Sequence, residues 1–290
     1  MKAIVLWLLI LLLIFLVVVL YQVAYKAARL PENNPKRFLK KIRGSKDQEN
    51  EIIVCIGDSI THGHIGVSYV KLLRQQLDSS VDIVNAGINS EHAYNVVQRL
   101  DDIIILQPDY ITILIGTNDV NNTLSCYNAY MGRYLVGLPR FPDLDLFNEN
   151  FRLIIERLQK ETDAAIAVLS IPTISEDPDH LAYEKSREYA CLIKNNAAEL
   201  GVDYLPLFET MDKALNLHPS ETSKKYEGQF WQQLGAIIRH YLFGTAYDEI
   251  AELRRFNFHI DQLHLNSEGA GIVADLIADF YKKSKKKRNS

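Results

Sequence analysis

The chain has 290 residues, of which 48% are hydrophobic and 23% charged. This length suits one α/β domain of ordinary size with an appendage, and the composition excludes a disordered or repetitive protein. The formal net charge is −4, but the basic residues gather before residue 46 and after residue 281, so the body between them is strongly acidic. Because an acidic body repels nucleic acid, no nucleic-acid partner is expected.

The appendage at the amino end is an apolar run. Ala3 to Tyr21 carries no charged or strongly polar side chain, and at about 1.5 Å per residue it is long enough to cross roughly 30 Å of bilayer hydrocarbon. A cleaved signal peptide has a shorter apolar core followed by a small-x-small cleavage site. Here a long run is followed by Tyr21-Gln22-Val23-Ala24-Tyr25. The pattern therefore predicts an uncleaved, single-pass transmembrane helix over residues 1–25.

Basic residues flank this predicted span unevenly. Lys2 and the amino terminus precede it, whereas the residues that follow include Lys26, Arg29, Lys36, Arg37, Lys40, Lys41 and Arg43. The positive-inside rule then favours a cytoplasmic location for the domain that follows. The chain has three cysteines, Cys55, Cys126 and Cys191. Their number and spacing fit neither a disulfide framework nor a zinc site, which favours a location in a reducing compartment.

Composition divides the rest of the chain into three parts. Residues 26–50 are polar and contain Pro31 and Pro35, which predicts a basic juxtamembrane linker. Residues 51–281 form the predicted globular domain. Residues 282–290 form a basic tail, expected either to lie on an anionic membrane surface or to be solvated.

Within the domain, short β-branched runs alternate with longer stretches of helical period, which is typical of βαβ units around a parallel sheet. Strands are predicted at residues 52–56, 81–85, 110–115, 165–170 and 203–205. Helices are predicted at residues 70–77, 91–106, 146–161, 181–200 and 267–281. Two segments fall outside this alternation, residues 124–145 and an insertion at about 211–258. Each is expected to be either a lid or substrate wall, or an extra helix packed on the core.

Two polar clusters supply the residues of nucleophilic catalysis. Gly57-Asp58-Ser59 follows the first predicted strand, where a serine hydroxyl would project into the cleft beyond the carboxyl ends of the strands. A hydroxyl is a poor nucleophile without a neighbouring base. Asp261 and His264 lie three residues apart before the last helix, so one loop can present an imidazole to take the serine proton and a carboxylate to orient it.

Two further clusters follow the second and third predicted strands. They are Asn85 to Ser90 and Gly116 to Asp119. Their backbone N–H groups and the Asn118 amide can stabilise a developing oxyanion.

In this order, and over residues 52–281, the four clusters resemble the signature blocks of the SGNH hydrolases, the GDSL-type esterases and lipases. The resemblance implies a flavodoxin-like three-layer α/β/α fold with a parallel sheet, and ester hydrolysis with no metal or organic cofactor. It also implies Ser59 as nucleophile and Asp261 and His264 as acid and base. The Ser59 backbone N–H and the Asn118 side chain match the family's oxyanion donors.

The second block departs from the family pattern. Ser90 stands where the family has a glycine whose N–H binds the oxyanion. A serine N–H can serve if its backbone conformation is allowed, and Gly87 is the alternative donor.

Other polar residues near these blocks have simpler interpretations. His62 and His64 are not accompanied by a carboxylate or cysteine cluster with metal-ligand spacing, so no metal site is predicted. Asp58 and Asp119 are expected to cap the turns that follow them.

Together these features predict a membrane-anchored serine ester hydrolase that acts through an acyl-enzyme on a lipid or another acyl ester at the membrane surface. The alternative substrate is an O-acetyl group on a carbohydrate or cell-envelope polymer, which a small cleft would favour over an acyl-length groove. A catalytically silent binding module is a third hypothesis, and the intact Ser59, Asn118 and His264 argue against it. The α/β-hydrolase fold is disfavoured because Gly-x-Ser-x-Gly is absent.

Overall fold

A computed structural model describes residues 2–43, 50–222, 225–226, 228 and 230–288. At its centre lies a parallel sheet of five strands in the order β2-β1-β3-β4-β5. The strands are β1 (Glu51–Gly57), β2 (Val81–Gly87), β3 (Tyr110–Leu114), β4 (Ala165–Leu169) and β5 (Asp203–Leu205). This is the doubly wound order of flavodoxin-like folds, whose ligands bind where the strand order reverses, here beyond β1 and β3. The predicted fold class is confirmed.

Helices cover both faces of the sheet and extend the chain at its amino end. Those before β3 are α1 (Lys2–Ala28), α2 (Pro35–Arg43), α3 (Ser59–His62), α4 (Tyr69–Gln76), α5 (Ala93–Val97) and α6 (Asp101–Ile104). Those after β3 are α7 (Thr117–Asn121), α8 (Cys126–Tyr134), α9 (Leu144–Glu161), α10 (Leu181–Leu200), α11 (Leu207–Leu217), α12 (Phe230–Phe243), α13 (Tyr247–Arg254) and α14 (Ser267–Arg288).

Strand side chains alternate between two hydrophobic layers, as the pleat requires. One layer packs strand residues such as Val54 and Ile113 against α9, including Phe151. The other packs residues such as Ile53 against α4 and α14, including Leu73 and Ile277. Both faces are buried, which explains why the strands read as continuous apolar runs.

The helix predicted over residues 91–106 is divided in the structure. It forms α5 and α6 with a turn between them. Arg99 lies in this turn and donates from Nη2 to the carbonyl of Ala86 over 2.8 Å. A cation bonded to the end of a strand is incompatible with one straight helix lying across the sheet, and this accounts for the difference.

The apolar amino-terminal run is helical. Within α1, Leu9–Ala28 is long and apolar enough to cross a membrane, a property shared by membrane spans and signal sequences, and it is the one such helix among the described residues. Its last turns contact the domain, because Val23 and Ala27 are buried and α1 packs against α12.

Part of the segment predicted as a polar linker is folded onto the domain. Helix α2 packs on β2 and α6, and Phe38 is buried in the core layer that contains Val84. This segment folds onto the domain because Phe38 is an apolar residue within a basic stretch. The prediction used the charged residues of the segment and did not take Phe38 into account. Residues 44–49 lie outside the described part of the chain.

The basic carboxyl end is also more ordered than predicted. Helix α14 continues to Arg288, and two of its cations pair with acidic residues at the amino ends of strands. Lys285 Nζ lies 2.6 Å from Glu51 Oε2 and Arg288 Nη1 lies 3.1 Å from Asp109 Oδ1. These contacts hold α14 at the edge of the sheet opposite to the strand ends that carry the four polar clusters. Residues 289–290 are outside the described residues.

Candidate active site

The predicted nucleophile stands in a tight turn between β1 and α3. Asp58 is the N-cap of α3 and accepts a hydrogen bond from the N–H of Ile60 over 3.0 Å. Ser59 is the first residue of the helix, so its own N–H has no helical acceptor and remains available to a ligand. The turn sits close to β2, because Asn85 Nδ2 donates to the carbonyl of Thr61 over 2.8 Å.

A glycine allows this close approach. A Cβ atom at Gly87 would lie 2.2 Å from the backbone nitrogen of His62, a distance that no side chain tolerates. The N–H of Gly87 is also occupied, since it donates to Asn85 Oδ1 over 2.9 Å. Gly87 is therefore explained by packing against α3, and its N–H is poorly placed to serve as the alternative oxyanion donor.

Ser59, His264 and Asp261 are joined in one hydrogen-bonded chain. His264 Nε2 lies 2.9 Å from Ser59 Oγ, and His264 Nδ1 lies 2.8 Å from Asp261 Oδ2. With Nδ1 protonated and donating to the carboxylate, Nε2 is free to accept the serine proton. All three residues are buried.

The carboxylate of Asp261 is held in its charged form. Burial by itself would raise its pKa, but the neighbouring His264 and the backbone N–H groups of Leu263 and His264 outweigh that effect and lower the pKa. These N–H groups donate to Asp261 Oδ1 over 3.1 and 2.7 Å. Asp261 thus orients the imidazole and remains charged to stabilise it once protonated.

A buried glutamate fixes the loop that carries Asp261 and His264. Glu176 Oε1 accepts hydrogen bonds from the backbone N–H of Phe258 over 2.7 Å and from His259 Nδ1 over 2.8 Å. Glu176 Oε2 accepts from the N–H of Asn257 over 2.8 Å. These bonds anchor the loop just before the predicted acid and base. Glu176 lies after β4, a strand end for which the sequence analysis named no functional residue.

The loop after β2 brings Ser90 to the site in an unusual backbone conformation. Ser90 has φ +63°, the left-handed region that favours glycine. A glycine, which the resembled family has at this position, adopts this conformation without strain. The strain of a non-glycine residue here is of order 1–3 kcal/mol, and such strain clusters at functional sites.

Asn118 approaches the same loop from the end of β3. Its Nδ2 donates to the carbonyl of Glu91 over 3.0 Å. Glu91 in turn accepts a hydrogen bond from Arg99 Nε over 2.7 Å. Burial raises the pKa of Glu91, while Arg99 opposes this shift. The ion pair therefore braces the loop that holds Ser90 against the strand ends.

Asp58 caps the turn that follows it, as predicted, whereas Asp119 lies inside α7 and accepts a hydrogen bond from the N–H of the first residue of α5. Both Asp119 oxygens lie within 3.4 Å of the N–H of Ala93. Burial raises the pKa of Asp58 to about 7 and that of Asp119 to about 8. Burial therefore favours the neutral form of both carboxyl groups.

A cavity of about 720 Å³ opens beside the predicted oxyanion donors, and Ser90 and Asn118 form part of its wall. Most of the rest of the wall is supplied by the two segments that fell outside the βα alternation. It includes Tyr127, Met131, Leu135, Val136, Phe230 and Trp231. The wall is mainly apolar, which suits a hydrocarbon chain or the flat face of a sugar ring.

One pocket residue escaped the sequence analysis. His92 lines this cavity, and its Nε2 lies 2.9 Å from Asn122 Nδ2. Burial lowers the pKa of His92 to about 4, so its ring is neutral and Nε2 accepts from the amide. A single histidine within a polar loop gave no signal in the sequence.

Comparison with known proteins agrees with this geometry. A sequence profile of the GDSL-like Lipase/Acylhydrolase family matches residues 55–272. No curated protein is similar enough in sequence to be a match.

Several solved structures share the fold. The acetyl xylan esterase AlAXEase has 21% identity, TM-score 0.54, and the match covers 78% of this chain and 97% of that one. An acetylxylan esterase from Geobacillus stearothermophilus has 17% identity, TM-score 0.52, with 80% and 94% covered. A lipase/acylhydrolase from Enterococcus faecalis has 20% identity, TM-score 0.52, with 81% and 96% covered.

These identities support a common fold, while the family profile spans most of the chain and includes every predicted catalytic residue. The chain therefore belongs to the GDSL-like lipase/acylhydrolase family and is a carboxylic ester hydrolase of the SGNH type.

Proposed function

We propose that the protein is a single-pass membrane-anchored hydrolase that cleaves acyl esters of lipids or other amphiphiles through an acyl-enzyme on Ser59. The observation that carries this proposal is the Ser59–His264–Asp261 hydrogen-bonded chain together with a mainly apolar cavity of about 720 Å³ whose wall includes Ser90 and Asn118, two of the proposed oxyanion donors. An acetyl group is far smaller than this cavity, whereas an acyl chain can fill it.

In the first half-reaction, Ser59 Oγ attacks the ester carbonyl carbon while His264 Nε2 takes its proton. The N–H groups of Ser59 and Ser90 and the amide of Asn118 bind the oxyanion that develops. The tetrahedral intermediate collapses, the bond to the alcohol breaks, and His264 returns the proton to the leaving alkoxide. Asp261 stabilises the imidazolium throughout.

In the second half-reaction, water replaces the alcohol. His264 takes a proton from a water molecule, and the oxygen of that water attacks the carbonyl carbon of the acyl-enzyme. The second tetrahedral intermediate releases Ser59, which recovers its proton from His264. The products are the alcohol and a carboxylic acid, and no metal or organic cofactor is needed for any of these steps.

The position of the amino-terminal helix supports a substrate taken from the membrane. Asn89 Nδ2, beside Ser90, donates to the carbonyl of Ala27 over 3.0 Å. Helix α1 also packs on α12, the helix that contributes Phe230 and Trp231 to the cavity wall. An anchor that ends at the oxyanion loop keeps the mouth of the cavity close to the bilayer surface.

The cavity rim is unusually apolar for a surface in water. Trp231 is 77% exposed and Leu135 is 71% exposed. Phe230 and Tyr127 are exposed as well. Aromatic side chains of this kind partition into the membrane interface, so the rim suits contact with lipid.

A chain-length series tests the substrate class. We expect kcat/KM for p-nitrophenyl esters to rise from acetate to medium-length acyl chains by up to about fourfold per buried methylene. Trp231→Ala is expected to lower the rates for the longer esters and leave the acetate rate nearly unchanged. Leu217→Ala, which removes another exposed apolar side chain outside the cavity wall, is the control. Highest activity on acetate would instead support an O-acetyl esterase acting on a carbohydrate or cell-envelope polymer.

Removal of residues 1–25 tests the anchor. The truncated chain is expected to remain in the supernatant after ultracentrifugation and to hydrolyse a soluble ester at a rate within about threefold of the full chain, because the four polar clusters lie beyond the deletion. The full chain assayed in detergent is the control. Continued pelleting with membranes would point to the apolar α12 surface as a second membrane contact.

Protease protection tests the side of the membrane. Charge bias predicts a cytoplasmic domain, since moving basic residues across a bilayer is costly, although many SGNH hydrolases are exported. On intact cells, a carboxyl-terminal tag is therefore expected to resist external protease and to be lost after permeabilisation. Loss of the tag from intact cells, with a cytoplasmic marker protected, would show an external domain.

A further inference from the structure

A second cavity, of about 510 Å³, lies on the outer side of the predicted nucleophile helix. It is lined by the segment that follows α1, by the end of α3, by α4 and by β2. The residues that matter here are Arg29, Glu32, His62, His64, Ser68, Lys71 and Arg74. The proposed hydrolysis mechanism does not use this cavity.

The charges around the cavity favour an anion. Arg29, Lys71 and Arg74 line it, whereas Glu32 is the acidic residue in its wall. Arg74 also donates to the carbonyl of Val81, which fixes its guanidinium at the edge of β2. The side chains that line this cavity therefore carry a net positive charge, although the domain as a whole is acidic. Packing of the hydrophobic core does not require these charges.

The amino end of α4 adds backbone donors. Ser68 is the N-cap of this eight-residue helix and lines the cavity, but its hydroxyl does not cap the helix. The N–H groups of Tyr69 and Val70 therefore lack a side-chain acceptor, whereas those of Lys71 and Leu72 donate to the carbonyl of Ser68. Uncapped N–H groups and the helix dipole make such an end suited to a phosphate or similar anion.

The buried His62 and the half-buried His64 face the same space. His62 is 2% exposed, and neither of its ring nitrogens, nor Nδ1 of His64, has a hydrogen-bonding partner among the described residues. The two rings pack edge to face with centroids 4.5 Å apart. Burial lowers the pKa of His62 to about 4, although the nearby backbone of Arg29 favours the charged form. A buried polar atom without a partner is costly, and a neutral imidazole keeps one N–H to donate to an anion.

We propose that this cavity binds a phosphate group. Its available groups are guanidinium, ammonium, backbone N–H and imidazole N–H, which complement phosphate oxygens and would repel a metal cation. Arg29 directly follows Ala28, the last residue of α1. If α1 spans a bilayer, the cavity lies at the depth of lipid headgroups, so an anionic phospholipid is the favoured source. Free phosphate offers the same chemistry.

Binding to the full chain in a non-ionic detergent tests this proposal. The Ser59→Ala chain is used throughout so that no probe ester is hydrolysed, and the result is then independent of the proposed enzymatic function. The probes are short-chain phosphatidylglycerol, inorganic phosphate, and laurate as an anionic amphiphile without phosphate. Calorimetry measures affinity, and the NMR signals of labelled histidine rings report whether His62 senses the ligand.

The variant is Arg29→Ala/Lys71→Ala, which removes two exposed cations, and its matched control is the exposed Lys160→Ala. Each basic residue near an anionic lipid contributes roughly fivefold in affinity, so the double variant is expected to bind phosphatidylglycerol about 25-fold more weakly. Inorganic phosphate binding with equal affinity and the same dependence on these cations identifies free phosphate as the ligand. Equal binding of the double variant and the Lys160→Ala control, or laurate binding as tightly as phosphatidylglycerol, overturns the proposal.

Discussion

Ser59→Ala is expected to lower kcat for ester hydrolysis by about 10⁵- to 10⁶-fold, the loss typical of removing a serine nucleophile from its triad. The side chain makes one hydrogen bond that matters for chemistry, to His264 Nε2 at 2.9 Å. Without the hydroxyl no acyl-enzyme can form, and the residual rate reflects water attacking a substrate held by the oxyanion donors. Labelling by a fluorophosphonate probe should disappear as well, because the probe requires the same nucleophile.

The fold of this variant should be unaffected, since the change removes one oxygen and leaves the capping bond from Ile60 N to Asp58 in place. Circular dichroism and the thermal midpoint are expected to match those of the unmodified chain. Ser79→Ala, at an exposed serine far from the site in sequence, is the matched control and should retain full activity and labelling. Equal labelling of the Ser59→Ala chain would assign the nucleophile to another residue.

The central fold could be predicted from sequence because its signals are local. Buried parallel strands read as short apolar runs, and the predicted residues 203–205 agree with β5 while the other strands differ by one or two residues at an end. The predicted helix at 91–106 was wrong as one element because its interruption depends on Arg99 reaching the carbonyl of Ala86. Contacts across the fold of this kind leave no periodic pattern in the sequence.

The ends of the chain show the same limit. Composition predicted a basic juxtamembrane linker at residues 26–50 and a membrane-bound or solvated tail at residues 282–290. In the structure Phe38 is buried and Lys285 pairs with Glu51. A single apolar residue and an ion pair between distant positions hold these segments against the domain. The composition of a whole segment does not reveal the effect of such single residues.

The candidate site also contains both residues that the sequence predicted and residues that only the structure reveals. Ser59 could be assigned because it follows the first strand of a parallel sheet, and Asp261 and His264 because they form a short motif that resembles a block of the SGNH hydrolases. The residues that support them were not found by sequence reasoning. Glu176 holds the loop before Asp261, and Arg99 braces Glu91 beside Ser90. These side chains act through hydrogen bonds to backbone and to other loops, so their roles emerge only in three dimensions.

Asn118→Ala is expected to lower kcat by about 10²- to 10³-fold with a much smaller change in KM, the loss typical of one oxyanion donor. In the unliganded site Asn118 Nδ2 donates to the carbonyl of Glu91 over 3.0 Å. That bond holds the amide at the wall of the cavity, where it can reach the substrate oxygen once negative charge develops. An interaction that strengthens only in the transition state affects kcat rather than binding.

The bond to Glu91 also gives the competing explanation, in which Asn118 merely supports the loop that carries Ser90. The two roles differ in their kinetics. A supporting role would disturb substrate binding and stability, and it would raise KM and lower the thermal midpoint together. Steady-state kinetics on a soluble ester, combined with thermal unfolding, separates them. Asn195→Ala, at an exposed position on α10, is the control for loss of an asparagine. A pure KM effect would remove Asn118 from the oxyanion site, because a donor that acts on the developing charge must change kcat.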